Sequence, residues 1–174
     1  MRALLFPIAM FCAACGRRAA AGVRPGAGTV SVQWTGKLRG GFSAPATARW
    51  CAADSLLEII AVRGDTATGL TLMTRDSVRV EGYVVNETRN FTPGRPQASV
   101  ALRMLGEMTL FGFDAMAGQV MVTQGGSRMV SGTLDVRLRS VTGADTIQMK
   151  GSFERIAVLP ATGVCGRANK PGAG

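Results

Sequence analysis

The stretch at residues 131–139, SGTLDVRLR, decides the fold class of this chain. Its apolar side chains stand at every second position, Leu134, Val136 and Leu138, with charged side chains between them. A period of two is typical of a β-strand that has one face in a core and the other in water. These residues therefore predict a half-buried strand.

The same alternation recurs on both sides of this stretch. The apolar positions of the further segments are Val30, Val32 and Trp34; Ala44, Ala46, Ala48 and Trp50; Val78, Val80 and Val84; and Ile147, Met149 and Phe153. Turn-forming residues separate such segments at Arg63–Thr66, Arg75–Ser77, Gln124–Ser127 and Thr142–Asp145. With no amphipathic helix pattern, the sequence predicts an all-β domain at residues 29–158, an antiparallel β-sandwich or a small β-barrel of about 8–10 strands.

Two segments depart from the simple pattern. Residues 55–62, SLLEIIAV, are apolar on both faces apart from one glutamate, which predicts a central strand or a strand beside a partner surface. Residues 86–99, NETRNFTPGRPQAS, form the longest connection, and a loop of this length either crosses between sheets or binds a partner. We take Arg89, Phe91 and Arg95 as its candidate interaction residues.

The N-terminus has the layout of a bacterial export signal. A positive start, Met1–Arg2, precedes a short apolar run, Ala3–Phe11, and small residues then lead to Cys15. This arrangement resembles the lipobox of bacterial lipoproteins, with Cys12 at the position where that motif usually has leucine. The resemblance implies that Cys15 is lipidated and becomes the first residue of the mature chain.

This resemblance also sets the expected organisation and location. Residues 1–14 would be a signal peptide, and the Gly- and Ala-rich residues 15–28 would be a flexible tether from the lipid to the domain. The protein would be exported and held on the periplasmic side of a bacterial membrane or at the cell surface. The outer membrane is favoured, because no Asp follows Cys15.

Two other interpretations of the N-terminus remain open. Ordinary signal peptidase could cut after Ala14 or near Ala21, which would give a freely secreted protein. Alternatively, Cys12 and Cys15 could form a functional CxxC motif. A redox motif requires a helix N-terminus beside a βαβ unit, and a structural zinc site requires a second pair of ligands. The sequence indicates neither.

Cys51 and Cys165 remain in the domain once Cys12 is removed and Cys15 is lipidated. An even pair of cysteines in an oxidising compartment predicts one disulfide, which would close a loop of more than a hundred residues. It would pin the C-terminal tail, residues 159–174, to an early strand. Two independent thiols are the alternative.

A second resemblance covers the C-terminal half of the domain. Residues 117–122 (AGQVMV), 126–134 (GSRMVSGTL) and 149–153 (MKGSF) resemble a hairpin pattern found in small bacterial envelope lipoproteins, most of which have no assigned activity. In such a pattern, Gly132 and Gly151 would be strand positions where a neighbouring side chain packs over bare backbone.

Composition excludes several classes of function. The chain has no histidine, which removes His-based triads, His acid–base chemistry and His metal ligands. The net charge of +9 comes from arginines scattered along the chain, without the aromatic stacking platforms of single-strand binding modules. We therefore expect no nucleic-acid partner, no metal site and no cofactor.

A histidine-independent hydrolase would need convergent carboxylates. The candidates are Asp54, Glu58, Glu81 and Asp114. On one strand, residues 54 and 58 would share a face about 13 Å apart, which is too far for a retaining pair. No catalytic motif supports this possibility.

The expected function is therefore non-catalytic. The leading hypothesis is a lipid-anchored structural or interaction protein, or an extrinsic accessory subunit of an envelope or membrane-protein complex. The alternative is a small β-barrel that carries a lipid or another apolar ligand, with some of the numerous methionines lining its pocket. A cavity of a few hundred Å³ inside a closed barrel would favour this alternative.

Overall fold

A computed structural model describes residues 28–85 and 95–161. About three quarters of this part of the chain is β-strand, and it includes one short 3-10 helix at Ala52–Asp54. The strands are β1 (Thr29–Gly36), β2 (Gly40–Cys51), β3 (Leu56–Arg63), β4 (Thr66–Met73), β5 (Gly82–Val85), β6 (Gln97–Leu105), β7 (Leu110–Gln124), β8 (Met129–Ser140) and β9 (Thr146–Pro160). The predicted all-β class is confirmed.

The strands close into a barrel in the order β1-β2-β3-β4-β6-β5-β7-β8-β9, and β9 pairs with β1. The nine strands of the described residues fall within the predicted range. Most neighbours are antiparallel, as expected from short turns between consecutive strands. Two pairs are parallel, β5 with β6 and β2 with β9, so the sheet is mixed rather than purely antiparallel.

The core fills the interior of the barrel with alternating side chains from the strands. Leu134, Val136 and Leu138 of β8 are buried, as the opening stretch predicts. The same holds for the apolar positions predicted in β1, in β9 and in β2 as far as Ala48. One contiguous apolar cluster occupies the space inside the ring. Small barrels of about eight strands are commonly filled by side chains in this way.

One predicted strand has the wrong register. The alternation of Val78, Val80 and Val84 predicts an inward valine face, but Val80 and Val84 are exposed while Tyr83 and Val85 are buried. Only Gly82–Val85 is strand, and residues 74–81 form a connection across one end of the barrel. Because side chains alternate with a period of two, the inward position of Tyr83 forces Val84 outward.

Two predicted boundaries also differ from the structure. The connection assigned to residues 86–99 is shorter, because β6 begins at Gln97 and pairs there with Met73 and Val84. The C-terminal tail assigned from residue 159 begins later, because β9 continues to Pro160. In both cases ladder hydrogen bonds extend a strand into residues whose sequence lacks a strand pattern.

Gly132 and Gly151 confirm the predicted close approach of neighbouring strands. A Cβ atom on Gly132 would lie 2.4 Å from Cζ of Phe153 and 2.3 Å from the carbonyl oxygen of Met121. A Cβ atom on Gly151 would lie 2.7 Å from Cγ1 of Val32. Only bare backbone fits at these two positions.

The barrel has two ends, which we call the upper and lower rims. The upper rim consists of the connections at residues 37–39, 64–65, 106–109 and 141–145. The lower rim consists of the connections at residues 52–55, 74–81 and 125–128. This assignment follows from the antiparallel order, since β1 runs toward the upper rim and β2 returns from it.

Both described ends of the chain join the barrel along β2. The carbonyl oxygen of Gly28 accepts a hydrogen bond from the amide of Ala46, and the amide of Ala161 donates to the carbonyl oxygen of Trp50. Below the start of β1, β2 and β9 pair directly at Ala48–Trp50 and Val158–Pro160. We call this parallel pairing, with Gly28 and Ala161 at its two ends, the seam.

Candidate functional site

The predicted site residues fall into two groups. Cys15, Cys165, Arg89 and Phe91 lie outside the described residues, as do the proposed signal peptide and all of the tether except Gly28. Arg95 is exposed, at the start of the segment that leads into β6. The other described residue is Cys51, which is buried at the lower end of β2.

A cleft lies beside Arg95 on the lower rim. It is lined by Arg75, Ser77, Arg79, Glu81 and Pro96 and has a volume of about 240 Å³. One guanidinium nitrogen of Arg79, Nη2, donates to both carboxylate oxygens of Asp76, at 3.0 Å each. The cleft therefore has mixed charge and is smaller than most small-molecule pockets.

The floor of this cleft is attached to the barrel core. Val78 is buried among core residues. The fully buried Tyr83 contacts the connection at residues 74–81 from the core side. Its hydroxyl accepts a hydrogen bond from the amide of Arg79 at 3.1 Å and donates to the carbonyl oxygen of the same residue at 3.4 Å. Burial raises the pKa of the Tyr83 phenol, and the nearby Glu81 carboxylate raises it further.

The four candidate acids are placed on separate parts of the barrel. Glu58 on β3 pairs with Arg49 at 3.0 Å, and Asp114 on β7 pairs with Arg103 at 2.6 Å. Glu81 lines the lower cleft, while Asp54 lies in the 3-10 helix. The Oδ2 atom of Asp54 is buried without a hydrogen-bond partner within residues 28–85 and 95–161. The two that form ion pairs, Glu58 and Asp114, thus pair with arginines rather than with each other.

Two further features are absent from residues 28–85 and 95–161. These residues contain no cluster of three or more Cys, Asp or Glu side chains that could hold a metal ion. They also contain no helix that is long and apolar enough to cross a bilayer.

The methionines do not share one pocket. Met149 is fully buried in the core, whereas Met121 is partly exposed on the outer face of β7 and Met108 is 98% exposed. The interior near Met149 is occupied by apolar side chains of the core cluster.

The upper rim carries a cluster of exposed apolar side chains at the β6–β7 hairpin, which we call the hairpin tip. Its members are Leu105, Met108, Leu110, Phe111 and the neighbouring Val141. Leu105 and Leu110 are paired across the hairpin, and Cγ2 of Val141 would lie 3.2 Å from a Cβ atom on Gly112. These side chains are therefore gathered around one hairpin and are only partly shielded from water.

The hairpin tip is held in one conformation. The amide of Gly106 donates to the carbonyl oxygen of Thr109 at 2.7 Å. The amide of Leu105 donates to the carbonyl oxygen of Asp65, in the neighbouring turn, at 2.8 Å. On the outer face, Arg103 bonds to Asp114 and to the carbonyl oxygen of Phe113. An ordered apolar patch loses little conformational entropy when a partner covers it.

The turns predicted from the sequence do not include residues 106–109, so this patch was not predicted. The signal was present in residues 103–111, RMLGEMTLF, where apolar residues surround a Gly–Glu pair. Hairpin turns are normally polar, so an apolar residue at the apex, such as Met108, is the unusual feature. Recognising it requires the strand bounds on both sides.

Comparisons with known proteins leave the site to be interpreted from its own geometry. The sequence matches no protein family, and neither the curated proteins nor the solved structures gave a match.

Proposed function

We propose that this chain is an exported, lipid-anchored β-barrel that docks another envelope protein on its hairpin tip. The observation that carries the proposal is the exposed apolar cluster of Leu105, Met108, Leu110 and Phe111 on a hairpin fixed by hydrogen bonds. Monomeric proteins rarely expose contiguous apolar side chains on an ordered surface unless a partner covers them.

The position of the tip relative to the chain ends favours a protein partner over the bilayer. β1 lies between β2 and β9 in the ring, and β6 and β7 lie across the barrel from it. From Trp50 at the seam to Gly40 at the upper end of the same strand is about 30 Å. The 13 residues that follow Cys15 in the proposed tether, 16–28, would have an r.m.s. reach of roughly 20 Å. A barrel tethered at its seam would therefore present the tip away from the lipid surface.

The charge at the apex supports the same choice. Glu107 is exposed between Gly106 and Met108, so a tip that entered a bilayer would carry a carboxylate toward the hydrocarbon. That transfer is costly for an unpaired charge. The partner that fits is a protein surface with an apolar pocket for Met108 and a Lys or Arg side chain opposite Glu107.

We also propose a disulfide between Cys51 and Cys165. Cys51 is buried beside Leu56, with Met73 and Ala161 packed against the same small cluster. Ala161 is bonded to the carbonyl oxygen of Trp50, the residue before Cys51, and Cys165 follows Ala161 by four residues. Four residues can span the distance from Ala161 back to Cys51, and this short separation supports the pairing.

Site-directed photo-cross-linking in living cells tests the docking surface. A benzoylphenylalanine placed at residue 108 should give a discrete protein adduct. The same probe at residue 84 should not give this adduct, because Val84 is 54% exposed on the outer face of β5, away from the tip. Leu110→Gln should abolish the adduct from residue 108.

Leu110 is 62% exposed, so its replacement by glutamine leaves the core intact. Val84→Gln is the matched control and should leave the adduct from residue 108 unchanged. An adduct that survives Leu110→Gln, or adducts only to lipid, would refute docking at the hairpin tip. If the adduct from residue 108 is lost in Leu110→Gln and kept in Val84→Gln, the protein it contains is the docking partner.

A further inference from the structure

We propose that the upper end of β2 binds an extended, acidic segment of a partner protein, which adds a strand to the sheet there. The binding edge is Gly40–Ser43, which we call the β2 edge. This inference goes beyond the proposed docking function, because it involves backbone groups of β2 rather than the apolar side chains of the hairpin tip.

The β2 edge exists because β2 extends further toward the upper rim than β3 does. The ladder between β2 and β3 ends at the pair Ala46–Ala61. The same register places the last residue of β3, Arg63, opposite Ala44, and the chain then turns back into β4. On its other side, β2 stays paired with β1 as far as Gly40. Within residues 28–85 and 95–161, no strand therefore pairs with the β2 edge on the side of β3.

The register also shows where the backbone groups of this edge point. The amide of Ala46 donates to the carbonyl oxygen of Gly28, on the β1 side of β2. Backbone groups alternate in direction along an antiparallel strand, so Phe42 bonds toward β1, whereas Gly41 and Ser43 direct their N–H and C=O groups the other way. Gly41 and Ser43 are both exposed. Their unpaired backbone groups match those of an extended polypeptide strand.

Two arginines set the preferred charge of the segment. Nη1 of Arg63 donates to the carbonyl oxygen of Ser43 at 3.5 Å, a contact long enough for this oxygen to accept from an incoming amide as well. Arg39 immediately precedes Gly40, and both arginine side chains belong to exposed residues. Among the described residues, neither guanidinium forms an ion pair. Acidic side chains on the added strand would meet both charges, which favours encounter and specificity.

A depression on the outer face gives the added strand a place for one side chain. It has a volume of about 340 Å³ and is lined by Ser31, Val32, Gln33, Gly40, Gly41 and Phe42. A Cβ atom on Gly41 would lie 2.7 Å from the carbonyl oxygen of Val32 and 3.1 Å from Cγ of Gln33, so only bare backbone fits there. Directly paired residues share one face of a sheet, about 5 Å apart. The residue opposite Gly41 would therefore extend over the depression, where the hydroxyl of Ser31 and the amide of Gln33 can bond to a polar side chain.

A partner segment fits this edge better than a second copy of the chain. Pairing of two β2 edges would bring Arg39 and Arg63 of one copy close to the same two residues of the other, and facing like charges are destabilising. The edge is also short, because Pro45 at its lower end has no amide hydrogen to donate. Short edges and edge prolines limit pairing between whole barrels. A single segment gains from the depression and from both arginines in addition to the backbone bonds.

Amide hydrogen exchange tests the edge in the free protein. The full chain with Cys15→Ser is used, so that no acyl chain contributes. The amides of Gly41 and Ser43 should exchange about a hundredfold faster than the amide of Phe42, which is bonded to β1. Equal protection of all three amides would overturn the inference, because the β2 edge would then already be paired.

Peptide selection tests the occupant. A phage library of random dodecapeptides is panned against the same protein, and the enriched peptides are synthesised. We expect sequences rich in Asp and Glu that slow the exchange of the Gly41 and Ser43 amides. N-methylation of alternate peptide amides should weaken binding by about tenfold or more in one register and change it little in the other, because only one edge of the bound strand faces β2.

Charge reversal separates this edge from the general basic charge of the protein. Arg39→Glu combined with Arg63→Glu should weaken the selected peptides by about tenfold or more. The matched control is Arg128→Glu combined with Arg137→Glu, two exposed positions away from β2, and it should leave their affinity nearly unchanged.

Several outcomes would overturn the inference. They are an equal loss in the control, equal effects of the two N-methylation registers, no enrichment of acidic peptides, and no selected peptide at all. A chain whose Gly41 and Ser43 amides become protected as it dimerises would show that a second copy occupies the edge instead. None of these readouts involves the hairpin tip, so their failure leaves the docking proposal unaffected.

Discussion

The hydroxyl of Tyr83 holds both backbone polar groups of Arg79, accepting from its amide at 3.1 Å and donating to its carbonyl oxygen at 3.4 Å. The two residues join the barrel core to the lower connection that lines the cleft. A fully buried phenol on β5 thereby helps to fix residues 74–81, a connection that is not itself β-strand.

This contact predicts a loss of stability in alkali. The pKa of Tyr83 is raised above the ordinary value of 10.0, so the folded chain binds the phenolic proton more tightly than the unfolded chain. Its contribution is fully present below the ordinary pKa, and the free energy of unfolding falls as pH rises from there through the folded pKa. Tyr83 is the single tyrosine, so phenolate absorbance during a pH titration reports it alone.

The matched variant is Tyr83→Phe, which keeps the ring and removes the hydroxyl. We expect a loss of about 1–2 kcal/mol at neutral pH, because the amide of Arg79 loses a partner. Unfolding in urea at several pH values should show a weaker alkaline slope in this variant. A phenol that titrates at the value of free tyrosine in the folded protein would contradict this account.

Gly132→Ala should be strongly destabilising. The added methyl would meet the carbonyl oxygen of Met121 and the ring of Phe153, both closer than any real Cβ contact allows. Overpacking of this kind costs about 1–3 kcal/mol, and we expect the upper end because one neighbour is backbone. Gly69→Ala is the control, since nothing lies within 4 Å of its new methyl. Equal melting temperatures for the two variants would rule out the close approach.

Cys165→Ser should remove the proposed disulfide. In the chain-entropy picture, a bridge that closes a loop of more than a hundred residues contributes about 4–5 kcal/mol. The purified parent should gain two mass units on reduction, whereas the variant should not, and its urea midpoint should be lower. A parent whose mass and midpoint are unaffected by reductant would show that the two cysteines are separate thiols.

The proposed lipid anchor predicts that Cys15 is modified and holds the protein on membranes. The intact mass of the mature protein should correspond to a chain beginning at Cys15 with a diacyl or triacyl adduct, and Cys15→Ala should release the protein from membranes. An unmodified chain that begins after residue 14 or near residue 21 would establish plain secretion instead. This measurement does not depend on the fold.

Asp114→Asn tests the support of the hairpin tip. The pair of Arg103 and Asp114 is partly exposed, so its loss should change stability by less than about 1 kcal/mol. The adduct expected from residue 108 should nevertheless decrease, because the hairpin would no longer be held from its outer face. The control is Asp135→Asn, which breaks the exposed ion pair between Asp135 on β8 and Lys150 on β9. It should leave the adduct intact. Loss of the adduct in both variants would indicate a general electrostatic effect.

The sequence by itself determined the all-β class and most of the core. A period of two reports which side chains share a face, so Leu134, Val136 and Leu138 were assigned inward without knowledge of their neighbours. It also determined the absence of histidine chemistry. The same local pattern gave the wrong face near Val84, where the buried Tyr83 and its contacts with Arg79 decide the register.

Only the tertiary structure decided what the strands bring together. Closure of the ring depends on pairings between residues distant in sequence, such as Val30 with Phe153, and alternation carries no information about partners. The same fold bonds Gly28 and Ala161 to Ala46 and Trp50, which lie four residues apart on β2. It also puts the hairpin tip on strands across the barrel from β1. Local periodicity reflects burial along one strand, whereas the location of a surface depends on which strands are neighbours.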